Sequence, residues 1–214
     1  MPALHASHSA RGVGIAGFLM LLAALLGACG TSTSGASSTV APLPSELDTA
    51  VTAMMTASSY SFTATVDSGS SSITIDGRFQ APDRIEQTVT GAGSAPVTMI
   101  LDGRSVHLKD PSTGVWTTTP TAATAAVDLR SAFVAISGAD DVEVSGDSTT
   151  LHLPAEQTRR LAGPEATGAA DVTVIIGPDG ISRLAYSVTM QGHPVAVSIA
   201  YSDIGRAAPV SIPS

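Results

Sequence analysis

The chain holds one thiol, and its setting says more than that of any other reactive group. Cys29 ends an apolar run that begins near Val13 and closes on Leu26-Gly27-Ala28. As the only cysteine it cannot form an intrachain disulfide. The other groups able to do chemistry are scattered. His107, His152 and His193 stand far apart in the chain, and an isolated His facing solvent or holding one hydrogen bond is commoner than a ligand set. Asp140-Asp141 with Glu143 is the densest acidic patch, yet it alternates with Val142 and Val144 like a strand with its charges outward. It fixes too few ligands for calcium. No His-x-x-x-His, P-loop, Gly-x-Ser-x-Gly or Ser-x-x-Lys spacing occurs. Serine is abundant, but without a base and an oxyanion hole it is no nucleophile. The expectation is therefore no enzyme, no catalytic residue, no metal and no cofactor.

The segment that positions the thiol carries its own message. Leu26-Gly27-Ala28-Cys29 after an apolar run resembles the lipobox of bacterial lipoproteins. The resemblance implies that Cys29 receives a diacylglyceryl group on sulfur and that the chain is cut before it, so residues 1–28 are a signal peptide. The alternative is an ordinary secretory signal that ends near a cysteine. Arg11 is the only basic residue in this part and no twin arginine is present, which points to the general secretion route. The run is short and Gly-containing for a span of about 20 residues. Gly12-Val13-Gly14-Ile15-Ala16-Gly17 fits the dinucleotide fingerprint only formally, because no strand precedes it. The expected location is the cell membrane, lipid-anchored on its extracytoplasmic face.

Composition narrows the partners. The chain carries 10 basic and 18 acidic residues, a formal −8, and losing Arg11 with the signal makes the mature form more acidic still. No basic cluster appears, which argues against nucleic acid and against electrostatic attraction to anionic lipid heads. Charged residues are 13% of the chain, about half the usual share, and Ser and Thr supply much of the polarity. Asn is absent and Lys109 is the only lysine. Abundant Ala, with Arg in preference to Lys, suits a high-GC, actinobacterial source.

Residues 29–44, rich in Ser, Thr and Gly, read as a tether with little to bury, and 45–214 as one domain. Ser45 with Asp48 predicts a capping box, opening a helix to about Ser58 with Leu47, Val51, Met54 and Met55 on one stripe. From Tyr60 the period becomes two: Tyr60, Phe62, Ala64 and Val66 alternate with polar residues. Ile73, Ile75 and Phe79 continue the pattern, with Gly77 at a bulge, and a third strand fits 84–90. Val97 to Leu101 and Ser105 to Lys109 flank Asp102-Gly103 as a tight hairpin, before Val115-Trp116-Thr117. A second helix is expected within Ala122 to Ser137. Short strands follow at 142–145 and 149–153, a turn or two of helix at 154–161, and a loop over 162–170. Strands at 172–176, 181–190 and 194–202 complete the domain, with a short edge strand at 209–213.

This order of parts is similar to that of the actinobacterial LppX/LprG lipoproteins, which share the fold of the LolA and LolB carriers. The matching residues are Ile100-Leu101-Asp102-Gly103-Arg104-Ser105-Val106-His107, Gly114-Val115-Trp116, Gly177-Pro178-Asp179-Gly180-Ile181-Ser182-Arg183, Tyr201-Ser202-Asp203-Ile204-Gly205 and Pro209-Val210-Ser211-Ile212-Pro213. The resemblance implies an α+β fold, a strongly curved antiparallel half-barrel with helices on its concave side. It also implies a space between them that holds acyl chains of lipids or glycolipids. Candidate lining residues are then Leu47, Val51, Met54, Phe62, Ala64, Val66, Ile73, Ile75, Val97, Met99, Leu101 and Phe133. Each CH₂ taken out of water is worth about 0.8 kcal/mol, enough to carry a two-chain lipid across an aqueous envelope. The expected partners are an acylated lipid or glycolipid and, through the anchor, the membrane; the expected state is a monomer. Two other readings stay open: a surface-tethered protein-interaction module with a closed core and no ligand, and an unrecognised envelope enzyme.

Overall fold

Alternation of apolar and polar side chains governs the chain from Ser59 onward, and antiparallel strands result. The computed structural model describes residues 42–120 and 130–213. Helix α1 (Ser45–Thr56) leads into a meander of β1 (Ser59–Asp67), β2 (Ser72–Gln80), β3 (Arg84–Gly91), β4 (Val97–Asp102), β5 (Ser105–Lys109) and β6 (Trp116–Pro120). Helix α2 (Ser131–Ile136), β7 (Asp141–Ser145), β8 (Ser148–Leu153) and α3 (Ala155–Ala162) follow. The short β9 (Ala166–Thr167) precedes the long strands β10 (Ala170–Gly177), β11 (Gly180–Met190) and β12 (His193–Ser202). Together they form one open antiparallel sheet in the order β6-β5-β4-β3-β2-β1-β12-β11-β10-β8-β7, with β9 beside one end of β11.

Register puts the apolar side chains of successive strands in phase. Val142, Leu151, Val172, Tyr186, Val197, Val66 and Ile73 stand side by side across seven strands. The opposite face of the same strands carries Thr65, Asp67, Thr173 and Ser198, among others. A one-residue slip in any strand would turn its apolar set into water, and each large side chain so exposed forfeits about 1.5–3 kcal/mol. The helices cover part of the apolar face: α1 lies against β10, β11 and α2, and α2 and α3 pack on each other and on β8. An aromatic cluster ties the second helix to the sheet. Tyr60 stacks on Phe79 at 4.9 Å and meets Tyr201 and Phe133 edge-on at 5.6 and 6.3 Å, contacts worth about 0.5–1.5 kcal/mol each beyond their burial.

Several expectations need correction. Pro44 occupies the cap of α1 and no side chain caps the helix; Ser45 is already helical, its carbonyl accepting from Thr49 Oγ1 at 2.8 Å. The described second helix is only Ser131–Ile136, and residues 122–129 of the predicted range lie outside the described residues. The tight hairpin turns on Gly103-Arg104, because Asp102 pairs with Ser105 and only Gly103, at φ +49°, adopts the left-handed backbone. The expected loop over 162–170 contains β9, which pairs with Thr189 and Met190. No strand forms over 209–213; Val210 is buried there and its N–H donates to Gln80 Oε1 at 2.9 Å.

Gly77 is no bulge: it pairs regularly with Phe62 and Gln87, and the shift in register falls at Ile175/Ile176. Its lack of a side chain is needed for a different reason. A Cβ there would collide with the Phe62 ring and lie 2.9 Å from the Glu86 carbonyl. Gly77→Val should therefore cost roughly 1–3 kcal/mol by overpacking, seen as a lower urea midpoint at unchanged slope. A wild-type midpoint would mean that the ring is not seated on the glycine.

Candidate functional site

The twelve residues expected to line a cavity do share one side of the sheet, but they do not converge on one spot. Leu47, Val51 and Met54 on α1, Phe133 on α2, Ala64 and Val66 on β1, Ile73 and Ile75 on β2, and Met99 on β4 all belong to one buried cluster. Phe62 and Leu101 pack against it half-buried, and Val97 is half-buried at the start of β4. The α1 residues sit over β10 and β11. Met99 lies five strand spacings from β11 in the sheet order, about 24 Å measured along the sheet.

Burial across this face is uneven. Leu184, Val174, Val172 and Leu151 are fully enclosed on the β8–β11 side. Toward the other end, Val89, Val97, Leu101, Val106 and Leu108 are half-buried, as are Phe62, Ile199 and Tyr201 on the central strands β1 and β12. Interleaved with them on the same face, Tyr60, Ile75, Phe79, Ile85 and Met99 are buried, so partial exposure is confined to single side chains between the middle of the sheet and β5. Enclosure in this apolar setting pushes the Tyr186 and Tyr201 hydroxyls above the ordinary phenol pKa, because the phenolate is the form that desolvation penalises.

One polar side chain interrupts the surface. Gln87 follows the same alternation as Ile85 and Val89, so it faces inward, only 4% exposed. Its Nε2 donates to Met99 Sδ at 3.1 Å. Sequence reasoning missed Gln87, Leu108, Ile199 and Tyr201 as site residues. The signal was present in the period-two phase, which places each of them on the same face as its apolar neighbours.

The opposite face is polar and shallowly grooved. A trough of about 700 Å³ runs over small residues such as Thr65, Thr173, Ala185, Ala196 and Ser198, flanked by Asp67, Asp171 and Arg183. A smaller groove of about 280 Å³ is bordered by Ser61, Thr63, Asp76 and Ser202. Alanine, serine and threonine, rather than long apolar side chains, make up most of the larger trough's lining. The three histidines do not meet: His107 on β5 pairs through Nδ1 with Thr118 Oγ1 at 2.9 Å, His152 on β8 pairs with Asp171 at 2.8 Å, and His193 opens β12 in solvent. Among the described residues no group of three His, Cys, Asp or Glu could hold a metal ion. Asp141 and Glu143 are exposed on the edge strand β7.

Cys29 and its preceding Leu26, Gly27 and Ala28 lie outside the described residues, as does the tether to Ala41. No described helix is long and apolar enough to cross a membrane. The chain matches no protein-family model and no curated protein.

The His152 pair supplies a pH signature. Its hydrogen bond to Asp171, then the charge of Asp140 and of Asp171 and Asp141, raise the imidazole pKa above 6.5, against a smaller opposing effect of burial. A raised folded value gives stability that is in place below pH 6.5 and fades as pH rises through the folded pKa. Both partners are largely exposed, at 46% and 73% of their side chains, so the effect is small. His152→Gln should flatten the change in melting temperature between pH 6 and 8 relative to wild type. Parallel profiles for the two proteins would refute the linkage.

Proposed function

We propose that the protein is a cell-envelope lipoprotein, anchored through Cys29, that binds or transfers acylated lipids on the apolar face of its sheet. In this reading the open sheet curves as a LolA-like half-barrel, with the helices on its concave side. The observation that carries the reading is a set of large apolar side chains, among them Phe62, Tyr201, Leu101 and Leu108, that stay half-buried on a face whose other inward residues are buried. Acyl chains are the natural occupant of such a surface, because they bring long CH₂ runs and few polar atoms. A few polar groups then set orientation. One acyl chain gives only marginal membrane binding, so firm anchoring takes at least two, as the lipobox resemblance implies for Cys29.

Two experiments test the halves of this reading. Metabolic labelling with palmitate should mark the wild type and not Cys29→Ala; equal labelling of both would exclude attachment at this thiol. Met99 tests the slot, since it is buried on β4 between the half-buried Val97 and Leu101. If lipid is taken up beside it, Met99→Trp should lower lipid uptake while leaving the denaturation midpoint nearly unchanged. If the face is a closed core, the same change costs roughly 1–3 kcal/mol and the wild type takes up no lipid.

A further inference from the structure

The register lines up one row of side chains that joins the sheet edge to its centre. Thr117 on β6, Leu108 on β5, Met99 on β4, Gln87 on β3, Gly77 on β2, Phe62 on β1 and Tyr201 on β12 are successive cross-strand neighbours. Burial deepens along the row from the edge: Thr117 is exposed, Leu108 half-buried, Met99 7% and Gln87 4% exposed. Gln87 lies three strand spacings in from β6, about 14 Å. Beyond it the Phe62 ring, seated on Gly77, closes the row.

Gln87 is poorly matched to a purely structural place. A carboxamide offers two N–H donors and one carbonyl acceptor, and a thioether sulfur is a weak acceptor. Among the described residues, Gln87 makes no hydrogen bond besides the one to Met99 Sδ. Gln87 Oε1 is not among the buried polar atoms that lack a partner; it is the Nε2 donor that holds a weak acceptor, one that a carbonyl oxygen would replace with a stronger one. Met99, unbranched and adaptable, can swing aside to admit one.

We infer that Gln87 is the polar anchor of the bound lipid, its amide N–H donating to the carbonyl oxygen of an acyl ester while the hydrocarbon chain lies along the half-buried residues. This rests on the proposed lipid-binding reading and adds a selectivity to it. An ester carbonyl accepts a hydrogen bond well and an ether oxygen does so poorly, so the site selects ester-linked over ether-linked lipids of equal chain length.

The test uses the full chain incubated with vesicles of dipalmitoyl phosphatidylcholine or of its dihexadecyl diether counterpart, with bound lipid counted by native mass spectrometry. Wild type should favour the diester roughly tenfold, the worth of about one net hydrogen bond. Gln87→Leu should take up both lipids equally, at about the diether level of wild type. Equal uptake of diester and diether by wild type overturns the inference whether or not the variant folds, and leaves the lipid-binding reading standing. A folded Gln87→Leu that keeps the preference overturns it too. If wild type takes up neither lipid, the lipid-binding reading itself fails, and the anchor with it.

Discussion

The whole structure depends on the phase of its side-chain alternation. Eleven strands lie in one antiparallel order, and in all but β6, which turns Trp116 to the other face, the inward positions are those with the larger apolar groups. This matters more than any single contact, because the chain has few strong ones to offer. Its ion pairs, such as Arg78–Glu86 and Arg84–Asp102, join partly exposed strand neighbours and are worth little on their own. Aromatics are only 4% of the chain, and most of those described gather around Tyr60. Hydrophobic burial on one face, kept in register strand by strand, supplies the stability.

That face is larger than the described helices that shield it. α1 has 12 residues, α2 has 6 and α3 has 8; they lie mainly over β8 to β11, and Phe133 of α2 reaches Tyr60 on β1 and Tyr201 on β12. A soluble domain that simply needed a closed core would gain from covering the remaining half-buried side chains, since exposed apolar patches favour unwanted association. The proposed lipid site gives the uneven cover a purpose, and the same logic gives one to Gln87: an apolar slot sets affinity, and a single amide sets orientation.

The alternation of Tyr60, Phe62, Ala64 and Val66, and of their counterparts in later strands, was enough to place most strands within a residue or two. Misplacements came where local signals compete with distant ones. Ser45 and Asp48 look like a capping box, but Pro44 with its fixed φ takes the position before the helix. Asp102-Gly103 suggests a turn at those two residues, whereas pairing of Asp102 with Ser105 moves it on by one. Ala166-Thr167 is too short to show a period and becomes a strand only because β11 extends past β10 to receive it. The candidate site was legible as a face and not as a place. Alternation says which residues share a side of the sheet, but cover depends on where α1 and α2 settle, and that is decided by packing against β8, β10 and β11 and by Phe133 against Tyr60 and Tyr201. Gln87 was hidden for a related reason: a polar residue within an apolar phase reads as a gap in the pattern until its neighbours Gly77 and Met99 are known.

The central claim is that the half-buried apolar face holds acyl lipid. Native mass spectrometry of the protein released from its own envelope addresses this most directly. The account predicts a population heavier than the anchored chain by the mass of a lipid that departs on collisional activation. A single species at the mass of the chain with its anchor, unchanged after incubation with excess phospholipid vesicles, would contradict it.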